Sequence, residues 1–551
     1  MNDQARGPGG ASGHASASRP QDDPVGANER LLFIASFLTL IAAGIGFSIR
    51  AAILGDWGRQ FGFTQGELGT ITGGGLVGFG ISIILFSFIA DRIGYAPLMV
   101  IAFLLHTSSA IVTFLATPVF ASAGKDGAFW CLNIGMWLFA LGNGTCEAVI
   151  NPLTADLFPK NKTHWLNILH AGWPAGLVLG ALLVLGFGFF EGIPWEVKLG
   201  MFLVPTLAYG VLMFGRKFPV SQVSAAGIPV GTMLLEFLSP ILLALLLLHA
   251  MVGYVELGTD SWITNITETI LDNSALALLA FIWTNVLMTA LRFFAGPIVH
   301  KISPLGLLFG SAVLGAIGLY ALGQSGTVAT WMLAVTVYGV GKTFFWPTML
   351  GVVAERFPRG GALTLGMVGG VGMLSAGLLG APGIGYKLDL AAMMYLNEKA
   401  PQTYGRYKGE EKSLYGLTPK VAGLDQSKVG TLLGAPGKNN GDGQLLEQDK
   451  KNVTAAGRKV EDIKALKELD QWWQEARKHK DEDRKPLADA MLHAGHRALT
   501  WTAAVPAAMA LGYLLLIFYF WSIGGYSAAV LTGHSATDEK FTGGTQGPGE
   551  G

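Results

Sequence analysis

Glu147 lies midway along an apolar stretch, with Asn143 one helical turn before it and Asn151 one turn after. Four-residue spacing puts all three on one face of a helix, a polar stripe that lipid would exclude. A carboxyl taken out of water favours its protonated form, so Glu147 could bind and release protons; it could equally tie helices together by a hydrogen bond. Asn167, His170 and Pro174 share one face of a second stretch, beside Trp173. There His170 either relays a proton, donates to a ligand hydroxyl or packs helices. On a third stretch His249, Gly253, Glu256 and Asp260 recur at helical spacing. We expect Glu256 near the outer mouth of a cavity, and Asp260 either there beside it or, by preference, as a solvated loop acid. A fourth stretch carries Asn285 and, two turns on, Arg292, which we expect to anchor a gate or snorkel to headgroups. A fifth carries Lys342 and, one turn on, Trp346. A lysine there needs a carboxylate or carbonyl, and Glu256 is the expected partner. Arg50 is expected to snorkel rather than pair with Glu147.

Charges at mid-bilayer cost about 2.5–3.5 kcal/mol each on insertion scales, so these side chains are functional candidates by default. Trp173, Trp283 and Trp346 set flat rings beside amides and acids, which suits a sugar or nucleoside with an apolar face and hydroxyl edges. Trp165, Trp195 and Trp501 are expected in interfacial aromatic belts.

The elements that carry these groups are apolar runs of membrane-crossing length, about 20 residues for a hydrocarbon core about 30 Å thick. We place twelve, near 31–54, 68–90, 97–117, 128–156, 164–190, 197–215, 233–257, 275–299, 303–323, 327–353, 361–384 and 498–524. Composition agrees: 51% of the 551 residues are hydrophobic and 14% charged, against about 25% charged in soluble domains. The 76 glycines suit helices packed through small faces. Zero formal net charge gives no reason to expect a nucleic-acid partner. Cys131 and Cys146, the two cysteines, fall on one helix about 22 Å apart, too far to pair. No phosphate-binding loop, zinc-protease helix or paired-cysteine motif is present, so no enzyme, cofactor or metal is expected.

Residues 1–29 and 531–551 are expected to be disordered tails. Residues 30–217 form a first six-helix bundle, 218–232 a linker, 233–385 spans seven to eleven, and 498–530 span twelve. Lys and Arg concentrate in alternate short links (Arg92, Lys160, Lys162, Arg216, Lys217, Lys301, Arg356, Arg359), which puts both termini in the cytoplasm of a multi-pass protein of the cell (inner) membrane. Residues 386–497 are polar and are expected outside, as a small cap or a partly disordered loop. Ile463, Leu466, Leu469 and Trp473 mark one amphipathic helix in it. The halves show weak likeness: GNGTCEAVINPLTADLFP in span four against GVGKTFFWPTMLGVVAERFP in span ten. Duplicated halves are a common way for transporters to build a midplane site.

The link after span two, SFIADRIGYA, resembles the G-x-x-x-D-[RK]-x-G-[RK]-[RK] pattern of the major facilitator superfamily at Asp91, Arg92 and Gly94; Ser87 stands for the leading glycine and Tyr95 and Ala96 for the trailing bases. Within that superfamily, GTCEAVINP followed by LNILHAGWPAG is similar to the fucose permease and related hexose–proton symporters, at Glu147, Asn151, Pro152, Leu166, Asn167 and His170. The resemblance implies an all-α membrane protein of twelve transmembrane helices in two six-helix halves. It implies a gate-latch at Asp91, a proton-carrying carboxylate at Glu147, and a sugar path near Asn167 or His170. Where the fucose permease pattern has an acid in span one, this chain has Arg50 and alanines. The expected function is proton-coupled, alternating-access transport of a small neutral polar solute, most simply a sugar, by a monomer in the lipid bilayer. Asn143, Asn151, Asn167, His170, Trp173, Glu256, Asn285, Lys342 and Trp346 would line the solute site, and Asp91, Arg92, Gly94 and Arg292 would gate it. Export of amphipathic compounds, or a non-transporting receptor or scaffold built on the insert, are the alternatives.

Overall fold

The computed structural model describes residues 26–63, 65–190, 192–434, 440–455, 459–529 and 531. Most of both expected tails lies outside these residues; where it is described, the first helix already begins at Ala27 and Leu531 is buried. In lipid every backbone polar group must be satisfied within the chain, and here helices do so. Among the described residues, eleven helical segments are long and apolar enough to cross a membrane: Ala27–Ala52, Glu67–Ile93, Tyr95–Phe114, Lys162–Phe187, Trp195–Met213, Pro240–Leu271, Ser274–Arg292, Ala295–Leu322, Val328–Arg356, Pro358–Lys399 and the segment ending at Ser522. The long helix Ala116–Leu157, which carries Glu147 and its flanking asparagines, is less apolar than these eleven and takes the place of the remaining span of the fold. Its link to span three bends at Gly124, whose φ of 69° suits glycine, and the link between spans eight and nine bends at Ser303, with φ of 65°.

Spans one to six and seven to twelve form two bundles that meet through equivalent pairs. Span two packs along span eleven, and span five along spans eight and ten. Close approach is bought with glycine. A Cβ at Gly44 would meet the Trp173 carbonyl at 2.5 Å, and one at Gly253 would overlap the Gly372 carbonyl. Spans five, seven, ten and eleven are irregular near mid-length. Span five breaks at Ala171, between Lys162–His170 and Gly172–Phe187. Span ten breaks between Val328–Lys342 and Phe345–Arg356. Span seven widens into a π-helical turn at Tyr254–Gly258, packed on a matching turn of span eleven, Ala376–Gly380. Such turns recur at functional sites.

The polar segment between spans eleven and twelve is more structured than a cap or loop. The helix of span eleven continues to Lys399, and Lys480–Thr502 runs back beside it into span twelve, Ala504–Ser522. Around this pair lie Pro401–Tyr407, an antiparallel hairpin of β1 (Lys408–Lys412) and β2 (Val421–Leu424), Gln426–Leu433, Gln444–Ala455 and Lys464–Ala476. They share a core of their own that includes Leu396, Tyr407, Leu432, Leu466, Trp473 and Leu487. The carboxylate of Asp483, fully buried, accepts from Thr403 Oγ1 at 2.7 Å and from Arg406 Nε at 2.8 Å. Gln444–Ala455 reaches across to pack on Leu54–Phe61, at the end of span one.

Candidate functional site

Proline explains the geometry at the centre of the molecule. Pro174 has no N–H to give the carbonyl of His170 four residues earlier, and Pro347 has none for Thr343. Both spans break there, and both freed carbonyls are taken by one side chain. Arg292 donates from Nη1 to His170 O at 2.6 Å and from Nε to Thr343 O at 2.7 Å. Its Nη2 donates to Glu256 Oε1 at 3.1 Å, in the widened turn of span seven. Arg292 is 1% exposed and Glu256 4%. This corrects the expectation of a snorkelling arginine: Arg292 is a buried cross-tie joining spans five, seven, eight and ten, and therefore both halves.

Glu147 lies beside this tie, 3% exposed. Asn151 Nδ2 donates to its Oε2 at 2.6 Å, and Asn151 Oδ1 stands 2.9 Å from His170 Nε2. The amide donates through its nitrogen, so its oxygen accepts, which assigns the proton to His170 Nε2. That nitrogen is 3.9 Å from Glu147 Oε2. Arg292 lies within electrostatic reach of Glu147. A polar chain thus runs Glu147–Asn151–His170–Arg292–Glu256 from the first half into the second.

The other candidates fall into three groups. Asn167 Nδ2 donates to Thr348 Oγ1 of span ten at 3.1 Å, a second bridge between halves. Trp346 is buried edge-on to His249 at 4.6 Å between ring centroids, and Asn285 is 1% exposed on the face of Arg292. Buried atoms without a hydrogen-bond partner among the described residues gather here: both ring nitrogens of His249, Glu256 Oε2, Asn167 Oδ1 and Asn285 Oδ1. Each is a desolvated group that a polar solute can satisfy. Trp173 is half-buried in an aromatic cluster with Phe47, at 5.2 Å, and Phe79.

Several expectations need correction. Lys342 pairs with Asp260, Nζ to carboxylate oxygens 2.5 and 2.7 Å, and not with Glu256, which Arg292 already holds. Asp260 is consequently a helical ion-pair partner and not a loop acid. Asn143 turns away from the centre: its Oδ1 is 3.0 Å from His106 Nε2 of span three, whose other nitrogen is 3.0 Å from Tyr209 Oη. Arg50 does not snorkel; it is 1% exposed, 3.8 Å over the Phe139 ring, and donates to Ser109 Oγ at 2.7 Å. Trp283 faces outward, 39% exposed, while Trp195 is buried against Trp57.

At the basic-loop end the halves are latched. Asp91 Oδ2 accepts from the Ala362 amide at 3.0 Å, and its carbonyl accepts from Ser224 Oγ of the linker. Arg92 is exposed and makes no hydrogen bond or ion pair among the described residues, and Gly94, with φ of 83°, serves the turn. The latch includes residues not foreseen as such. Lys162 Nζ donates to Ala354 O at 3.2 Å and Thr163 Oγ1 to Glu355 at 2.5 Å across the halves, while Tyr95 Oη donates to Asp156 at 2.8 Å within the first half. Asp156 and Glu355 occupy the same place in the repeated TADLFP and VAERFP segments, the signal that could have found them. Among the described residues no group of three or more His, Cys, Asp or Glu side chains could hold a metal ion.

The sequence model of the Major Facilitator Superfamily matches residues 32–381. The chain belongs to the major facilitator superfamily. It is a multi-pass membrane transporter of all-α fold, not an enzyme. Solved structures agree on the fold. A proton:xylose symporter bound to 6-bromo-6-deoxy-D-glucose aligns with a TM-score of 0.56 at 14% identity, covering 67% of this chain and 91% of that one. The Escherichia coli fucose:proton symporter gives 0.53 at 15% identity, over 66% of this chain and 92% of that one. A bacterial homologue of the human lysosomal transporter Spinster, inward-facing and unoccupied, gives 0.54 at 15% identity over 89% and 98%. At these identities the likeness speaks to fold alone. No curated protein matches the chain in sequence.

Proposed function

We propose that this transporter moves a small neutral polar solute, most simply a sugar, by alternating access coupled to a proton carried on Glu147. The observation that carries the reading is the polar chain in which Arg292 ties the His170 carbonyl of one half to Glu256 of the other, with Glu147 alongside. For the halves to part, the bond to His170 must break. An ionised Glu147 attracts Arg292 and holds the closed arrangement; a protonated one relaxes that pull. A solute hydroxyl then takes up donors and acceptors released around His170, Asn151 and Glu256, and Trp346 offers an apolar face. In this reading the basic-loop end faces the cytoplasm, with the Asp91 latch closing that side, and the protein works as a monomer in the cell (inner) membrane. One pH unit supplies about 1.4 kcal/mol per proton, a tenfold concentration of a neutral solute. Two solved structures of like fold are sugar–proton symporters, so sugars are the first class to test. Proteoliposomes test it: addition of sugars, nucleosides or organic acids is expected to alkalinise the outer medium for one sugar class only. Solute entry without proton movement would remove the coupling, and proton movement with organic acids alone would remove the neutral substrate.

A further inference from the structure

The hairpin between β1 and β2 ends in Ser413-Leu414-Tyr415-Gly416-Leu417-Thr418, an odd tip for a loop in water. Tyr415 is 60% exposed and Leu417 80%. The polar groups of the turn are folded inward on one another. Leu417 N donates to Leu414 O at 2.9 Å, Leu414 N to Thr418 Oγ1 at 2.9 Å, and Gly416 N to Ser413 Oγ at 3.1 Å. Tyr415 itself holds a left-handed backbone, φ 53°, which a bulky residue adopts only when its surroundings impose it. The result is a tight turn that presents its apolar side chains outward, with exposed Lys412 and Lys420 at either side.

The height of this tip follows from its contacts. Span twelve proper, Ala504–Ser522, is 19 residues long, about 28 Å of helix, so the hydrocarbon ends close to Thr502. Lys387 Nζ donates to Thr502 Oγ1 at 3.1 Å, which puts residues 386 and 387 of span eleven at the same level. Trp262 Nε1 donates to Ala381 O at 2.8 Å just below, where an interfacial tryptophan belongs. The hairpin lies along this stretch of span eleven. Gly423 of β2 backs onto Asp389, and Pro419, before β2, accepts from Tyr386 Oη at 3.1 Å. From Gly423 back to Pro419 the strand therefore descends, from beside Asp389 toward Tyr386, about 4.5 Å lower on span eleven. The tip lies beyond Pro419, lower again, at the level of the bilayer interface.

We propose that residues 414–417 form a membrane-interface anchor, with Tyr415 and Leu417 seated at the headgroup–acyl boundary on the insert's side and Lys412 and Lys420 among the phosphates. Exposed tyrosine and leucine between two lysines is the composition that interface favours. The anchor holds the insert, which is built on spans eleven and twelve, at a fixed tilt to the membrane while its helix Gln444–Ala455 leans on the other half.

The test places a fluorescent coumarin amino acid at position 417, and separately at position 410 on exposed β1, in the otherwise native full chain reconstituted into phosphatidylcholine–phosphatidylglycerol vesicles. Nitroxide on the lipid headgroups is expected to quench position 417 about threefold more than position 410, and aqueous iodide to show the opposite order. Equal iodide quenching at both positions, with no lipid quenching at 417, overturns the proposal. So does shielding of 417 that fades as the protein-to-lipid ratio falls, which would point to a second copy as the occupant.

Discussion

A guanidinium that holds two proline-freed carbonyls and a carboxylate cannot be removed quietly. Arg292→Gln leaves Glu256 buried without its directly paired cation, a loss of about 3–5 kcal/mol for breaking a buried pair from one side. We predict a marked fall in the thermal unfolding midpoint, partly recovered in the Arg292→Gln/Glu256→Gln double variant. Costs that simply add would show that the two side chains do not act as a pair. At this scale the sequence was partly legible. Glu147, Asn151 and His170 announced themselves as polar groups spaced along apolar runs, and the structure brings them together. Arg292 misled because its place near the end of a span suggests water within reach, whereas spans five, seven and ten close over it. The informative residues were Pro174 and Pro347, which free acceptors without being polar themselves. Asn143 shares a helix face with Glu147, but a face is wide enough for one of its residues to turn toward span three.

Helices as elements were the most legible part, because length and hydropathy alone define a span. Their partners were not. Lys342 finds Asp260 because span ten breaks just after it and span seven widens at Glu256, two irregularities that no periodic pattern contains. Glycine contacts fix the spacing of the bundles, and they make a sharp comparison. Gly253→Ala forces a methyl onto the Gly372 carbonyl between spans seven and eleven and is predicted to cost at least about 1–3 kcal/mol, the range for overpacking. Gly69→Ala, exposed inside the helix Gln65–Gly73, meets nothing within 4 Å among the described residues and is predicted to raise stability by about 0.5–1 kcal/mol. Thermal unfolding of the two purified variants checks both figures; similar midpoints would mean that the span seven–eleven contact is looser than drawn.

At the scale of the molecule, the two bundles, the latch and the insert are separable pieces. The insert was legible as polar and partly helical, but its core was not, since the apolar residues that build it are scattered over a long, charged segment and meet only through tertiary packing. Arg406→Ala strips the buried Asp483 of its cation. We predict faster proteolysis between residues 400 and 480 while solute transport persists, because the polar chain and latch lie elsewhere. Transport lost together with the insert's fold would bring the contact between Gln444–Ala455 and Leu54–Phe61 into the cycle. The central claim is that Glu147 couples a proton to the movement of the halves, and it is tested most directly with Glu147→Gln in proteoliposomes. That variant keeps the amide–histidine hydrogen bonds but cannot titrate. It is predicted to exchange solute across the membrane at a rate near that of the parent and to accumulate none against an imposed pH gradient; undiminished accumulation would contradict the claim.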